Sequence, residues 1–235
     1  MKNIDLQSPV GRLVAERPAR SRVFERHGID YCCGGKRTLQ QACQAKAIDP
    51  AVVLAELAAL EAHDSSNGPN PSDMTMTELT DHIESTHHAY LRRELPRVRD
   101  LLDKVIAAHG SKYAWLAEVA ATYSDLVAEL EPHMQKEEQI LFPMLRQLDS
   151  LGDPTAFQGG SVDGPIAVME QEHDNAALAL ARLRELTGGF TPPDGACNTF
   201  RAMLEGLRAL ERDTHQHIHK ENNVLFARAA EAGQS

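Results

Sequence analysis

An internal repeat constrains this 235-residue chain more than any other feature. His133-Met134-Gln135-Lys136-Glu137, followed by Leu141-Phe142, recurs as His217-Ile218-His219-Lys220-Glu221, followed by Leu225-Phe226, and the histidines, glutamates and leucines all share an offset of 84 residues. Self-similarity in one register marks duplicated supersecondary units. His88 and His173 form a second pair 85 residues apart, and each precedes its His-x-x-x-Glu element by 44 or 45 residues. Long helices are expected near 75–108, 112–149, 164–187 and 194–231, separated by Gly/Pro/Asp-rich breaks. Four such helices predict an up-down-up-down bundle. Only 5% of residues are aromatic, period-two alternation is scarce, and Ala, Leu, Glu and Arg abound, so the fold class is all-α.

A His and a Glu four apart on a helix surface are ordinarily a solvated ion pair worth about 0.3 kcal/mol. Here they lie on the apolar stripe. On the second long helix it runs Leu126, Leu130, His133, Glu137, Leu141, Met144, Leu148, so the two polar residues stand at core positions. The last helix repeats this with Met203, Leu207, Leu210, Thr214, His217, Glu221, Leu225, and the third carries Ile166, Met169, His173, Ala176, Leu180, Leu183. His88 heads the stripe Leu91, Leu95, Val98, Leu102, Val105, but Glu84 and Ser85 precede it and His87 competes for the inward position. His82, His109, His215 and His219 are expected to be exposed.

Unpaired buried imidazoles and carboxylates would each cost several kcal/mol, and metal ions resolve that conflict. Six ligands suit two ions, with the glutamates able to bridge them. Imidazole and carboxylate without thiolate favour iron, with manganese second, over a structural zinc. Two ions with six protein ligands leave room for a bridging oxygen and a small molecule, which points to O₂ or NO chemistry.

Residues 64 to 73, Asp-Ser-Ser-Asn-Gly-Pro-Asn-Pro-Ser-Asp, contain no apolar residue and several breakers. The expected organisation is a small helical module at 1–63, a flexible linker at 64–74 and the bundle at 75–235. In the first module Ser8-Pro9 and Asp49-Pro50 read as cap and first-turn pairs, Pro18 opens a helix and Gly28 closes one. Residues 1–60 carry a balance of +3 and the remainder −13, so a weak, salt-sensitive docking of the two modules is expected. The overall charge of −10 argues against nucleic acid and anionic lipid as partners. No apolar run approaches the roughly 20 residues of a membrane span, and Met1-Lys2-Asn3-Ile4-Asp5 leads into charged sequence, so a cytoplasmic protein is expected.

Cys32 and Cys33 are neighbours, which disfavours a disulfide between them. Lys36, Arg37 and a helix start at Thr38 with Gln41 as capping box should favour thiolate, making the pair reactive and a candidate for transient handling of iron or a nitrosyl group. Cys43 and Cys197 carry no assignment.

Taken together, these residues resemble a known family. The bundle is similar to the hemerythrin-like di-iron bundle. With Asp30-Tyr31-Cys32-Cys33-Gly34-Gly35, the run His133 to Pro143 and Glu221-Asn222-Asn223-Val224-Leu225-Phe226, the whole chain resembles the repair-of-iron-centres (RIC) proteins. The resemblance implies His88, His133, Glu137, His173, His217 and Glu221 as ligands of two non-haem irons with an oxo or hydroxo bridge, and it favours His88 over His87. It also implies damaged or apo iron-sulfur proteins as clients, repair after nitrosative or oxidative stress, and a homodimer. Glu129 and Glu172 match acidic residues near the family's metal centre, where proton delivery or ion passage is their implied role. The two rival readings are a di-iron NO reductase forming nitrous oxide and an O₂- or NO-binding sensor or carrier. Two departures stand out: Pro132, expected to kink the helix beside His133, and Ala227-Arg228, where the family commonly has Pro.

Overall fold

In the computed structural model, which describes residues 4–62, 70–151 and 161–233, helix ends follow local capping chemistry. The first module comprises α1 (Val10–Glu16), α2 (Ser21–Arg26), α3 (Leu39–Ala45) and α4 (Pro50–Ala62). Gly28, at φ +62°, ends α2, and the Ile29 amide donates to the Phe24 carbonyl at 2.9 Å, the closing bond that a left-handed cap provides. Thr38 and Gln41 form the expected capping box of α3, and Asp49 Oδ1 accepts from the Ala51 amide at 2.9 Å. At α1 the cap position falls on Pro9 and no side chain caps it, so Ser8 does not take that role. Val10, Leu13, Phe24, Tyr31, Leu39, Val53 and Leu57 fill this module's own core.

The bundle consists of α5 (76–109), α6 (115–151), α7 (Asp163–Leu186) and α8 (198–233). Thr75 and Glu78 box the start of α5. α6 packs chiefly on α7, and α8 on α5. Three helices depart from α geometry for one π turn each, at Glu84–His88, Glu137–Leu141 and Glu221–Leu225. Such insertions carry an extra residue per turn and recur at functional sites. Helix α6 runs on through Pro132, and its departure from α geometry comes five residues later, at Glu137.

Two apolar layers fill the bundle. One includes Leu91, Leu95, Leu126, Leu130, Ala176, Leu207 and Leu210, and the other Ile83, Leu141, Phe142, Met169, Val224, Leu225 and Phe226. The polar residues singled out by the repeat lie between these layers. Among the described residues, no strand forms and no helix is long and apolar enough to cross a membrane.

Of the expected linker, residues 64–69 lie outside the described residues. Residues 70–74 are tied down: Pro71–Asp73 makes a 3₁₀ turn, Ser72 Oγ donates to the Ala15 carbonyl at 2.5 Å, and the Arg228 guanidinium donates to the carbonyls of Ser72 and Met74. The first module rests on α8. Tyr31 meets His219 edge-on at 5.4 Å, and Asn223 Nδ2 donates to the carbonyls of Cys32 at 2.9 Å and Tyr31 at 3.3 Å.

Candidate metal centre

Each π turn places a polar residue at the level between the apolar layers. The first ends on His88, and the other two begin on Glu137 and Glu221, while His133 and His217 lie one turn earlier on their helices and His173 projects from α7. All six side chains are buried. Their donor atoms form two four-residue groups, His88/Glu137/His217/Glu221 and His133/Glu137/His173/Glu221, each with its atoms within 4.8 Å of one another. Both groups contain both glutamates.

The arrangement keeps the symmetry of the repeat. His88 Nε2 faces His217 Nε2 at 3.1 Å, and His173 Nε2 faces His133 Nε2 at 3.1 Å. His88 stacks on Phe142 and His173 on Phe226, ring centroids 5.7 and 6.0 Å apart. Outer partners orient the rings, as they do around metal-ligating histidines generally. His88 Nδ1 donates to Glu138 at 2.7 Å, His133 Nδ1 to Glu172 at 2.8 Å, and His173 Nδ1 to Asn222 Oδ1 at 2.8 Å. Glu138 in turn accepts from Arg92 at 2.7 Å, and Glu172 from Lys136.

The donor set fits cations. Among the described residues, nothing donates a hydrogen bond to either carboxylate oxygen of the fully buried Glu137 or to Glu221 Oε2, which would be costly in a centre without a positive charge. Imidazole Nε2 atoms lie 3.1 to 3.4 Å from these oxygens. Burial pushes the Glu137 carboxyl up and the Glu221 charge adds to that, yet His133 and His88 outweigh both and hold it below the ordinary range. Burial likewise opposes, and His217 and His173 overcome, at Glu221, which is held well below that range. Two imidazoles with shared carboxylates and no thiolate form a site for a non-haem iron-type ion.

The remaining predicted residues divide. Glu172 stands at the edge of the site on His133, whereas Glu129 is exposed on α6 and the structure does not bring it to the histidines. His87 is buried but lies outside both groups: its ring stacks on His217 at 5.3 Å, its Nδ1 donates to Asp213 at 3.0 Å, and its Nε2 accepts from Lys220 at 2.7 Å. The expectation that His82, His109, His215 and His219 are exposed does not hold: the first three are half-buried and His219 is buried, since Lys220 meets His82, Tyr31 of the docked first module covers His219, and His109 lies against Phe200 and Cys197.

Cys32 and Cys33 are free thiols lining a polar recess of about 130 Å³ with Lys36, Glu170, Asp174, Asn222 and Asn223. Asn222 thus borders both the recess and His173. The expected thiolate character is not found at Cys32. It is buried, its Sγ donates to Asp30 Oδ1 at 3.2 Å, and Lys36 turns away to Glu170. The Cys33 sulfur, then burial, and Asp30 raise its thiol well above the ordinary range.

Glu138 and Asn222 escaped the sequence reading although the signal was there. They follow the repeated glutamates and stand in the same 84-residue register.

Comparison with known proteins gives a consistent result. A hemerythrin HHE cation binding domain model matches residues 79–229, and a model described as a domain of unknown function (DUF542) matches residues 6–61. The iron-sulfur cluster repair proteins YtfE of Yersinia pseudotuberculosis serotype IB (strain PB1/+) and Yersinia pestis (strain Pestoides F) are each 38% identical over 220 residues, covering 94% of this chain and 95% of theirs.

Proposed function

Because the chain belongs to the hemerythrin HHE cation-binding family and, along nearly all of its length, to the YtfE-type iron-sulfur cluster repair proteins, we propose that it is a non-haem di-iron protein that restores damaged iron-sulfur clusters by donating iron. One observation carries this reading: two buried histidine pairs share two glutamates, and three of the four carboxylate oxygens lack hydrogen-bond donors among the described residues. His88 and His217 would hold one ion and His133 and His173 the other, with Glu137 and Glu221 common to both. When bound, the iron pair supplies one-electron redox chemistry and open coordination positions for a diatomic ligand such as NO or O₂.

The chain's own groups prepare that site. Glu138, Glu172 and Asn222 keep hydrogens on the outer ring nitrogens, which leaves the Nε2 lone pairs directed inward. The apolar layers on either side exclude water and strengthen each charge interaction within. Glu172, partly exposed and bonded to both His133 and Lys136, would relay a proton or meet an ion at the rim. Cys32 and Cys33, across the recess from Asn222, are the groups proposed to take up iron or a nitrosyl group on its way to a client.

The test is reactivation of an NO-damaged [4Fe-4S] enzyme by the iron-loaded protein under argon. Iron should pass to the client in step with recovered activity, and Glu137→Gln and the Cys32→Ser/Cys33→Ser double variant should each reduce it. Recovery without iron loss from the protein, unaltered by Glu137→Gln, would contradict the proposal.

A further inference from the structure

Three of the four inward histidines have an acceptor for Nδ1, namely Glu138, Glu172 and Asn222, but His217 Nδ1 is buried with none among the described residues. The repeat explains why. In its register Lys136 corresponds to Lys220, and Glu172, the residue before His173, corresponds to His87, the residue before His88. On one side Lys136 binds Glu172, which accepts from His133. On the other, Lys220 donates to His87 at 2.7 Å, and the His87 ring lies flat against His217, interplanar angle 7°, with its nitrogens spent on Lys220 and Asp213. It presents no acceptor to His217. The same lysine position therefore meets a carboxylate at one histidine and imidazoles at the other, where Lys220 also donates to His82 at 2.8 Å.

We propose that the two ion positions are inequivalent, and that the one bounded by His88 and His217 is the exchangeable position from which iron is released. The inference rests on the di-iron reading above. An imidazole whose outer nitrogen has an acceptor is more basic and fixed in orientation, and loss of such a partner typically costs 10- to 100-fold in metal affinity. His217 lacks that support and His133 has it. Donation then proceeds one ion at a time, with the His133/His173 position retained while the other empties and refills.

The experiment loads the full chain with ferrous iron under argon and follows release to a colorimetric ferrous chelator. Two phases of one ion each are expected, with rates about tenfold or more apart. His87→Glu, which gives position 87 the residue of its repeat mate, should slow the fast phase toward the slow one, and Glu172→Gln should speed the slow phase toward the fast one. Two ions leaving with a single rate constant would overturn the proposal. So would a fast phase unmoved by His87→Glu in protein that still binds two ions and keeps its circular dichroism. Where His87→Glu does not fold, Glu172→Gln alone decides. A chain that never takes up a second ion overturns the di-iron reading as well, which separates the two failures.

Discussion

His133 and His173 turn their Nε2 atoms toward each other at 3.1 Å while their Nδ1 hydrogens go to acceptors, Glu172 and Asn222. In two neutral imidazoles arranged this way both Nε2 lone pairs converge, so the geometry calls for a cation between them, a proton or a metal ion. Without metal it is a proton. Burial pulls the His133 value down, but Glu137, Glu221 and the bond to Glu172 outweigh it and raise it to about 9.

That shift gives metal-free protein a pH dependence of defined sign. A histidine whose folded value lies above its ordinary 6.5 contributes stability that is complete below 6.5 and is lost as pH rises through about 9. The melting temperature of chelator-treated protein should fall by several degrees over that interval. Metal-loaded protein, in which the ion replaces the proton, should show a much smaller fall. Thermal circular dichroism across the interval checks both.

Glu137 belongs to both four-residue groups and His88 to one. Glu137→Ala should therefore reduce bound metal from two ions per chain to fewer than one, whereas His88→Ala should leave about one. Metal analysis after gel filtration reads the difference, and equal losses from the two variants would count against shared glutamates.

Glu138 and Asn222 act through the rings they orient. Replacing either with Leu should weaken metal binding about 10- to 100-fold with little change in helicity. Glu129→Gln, on the exposed face of α6, should leave it unchanged. Competition with a chelator of known affinity measures all three.

The first module meets α8 through a close fit of Asn223 against Gly11 and Gly35. A Cβ added at Gly11 or Gly35 would sit 2.1 or 2.2 Å from Asn223 Oδ1, and the ion pair Lys36–Glu170 is solvent-exposed. Gly35→Ala or Asn223→Asp should raise alkylation of the buried Cys32 by at least about tenfold through local opening. Raising salt from about 0.1 to 1 M, which cuts the Debye length from about 10 to 3 Å, should not. Peptide-resolved mass spectrometry, with the exposed Cys197 as internal control, distinguishes these outcomes.

Much of the fold and site could be read from periodicity. The apolar stripes through His133, Glu137, His173, His217 and Glu221 placed them at core level because burial of one helix face repeats every three or four residues. Periodicity could not choose between His87 and His88, since both become buried once the π turn at Glu84–His88 rotates the helix. The burial of His219 and of Cys32 depends on contacts between distant segments, Tyr31 with His219 and Asn223 with the Cys32 carbonyl, which no local pattern encodes, while the thiol of Cys32 is taken up by Asp30 only two residues away. Charge counting suggested a salt-sensitive attraction between modules but could not foresee the fit of Asn223 between two glycines.

The most direct test of iron donation from a di-iron centre is iron analysis with Mössbauer spectroscopy on protein purified without oxygen, repeated after adding NO and an apo iron-sulfur acceptor. Two irons per chain are expected as a coupled pair, with iron moving to the acceptor. A chain holding two irons that stay in place while nitrous oxide accumulates would contradict donation, and a chain without a coupled pair would contradict the centre itself.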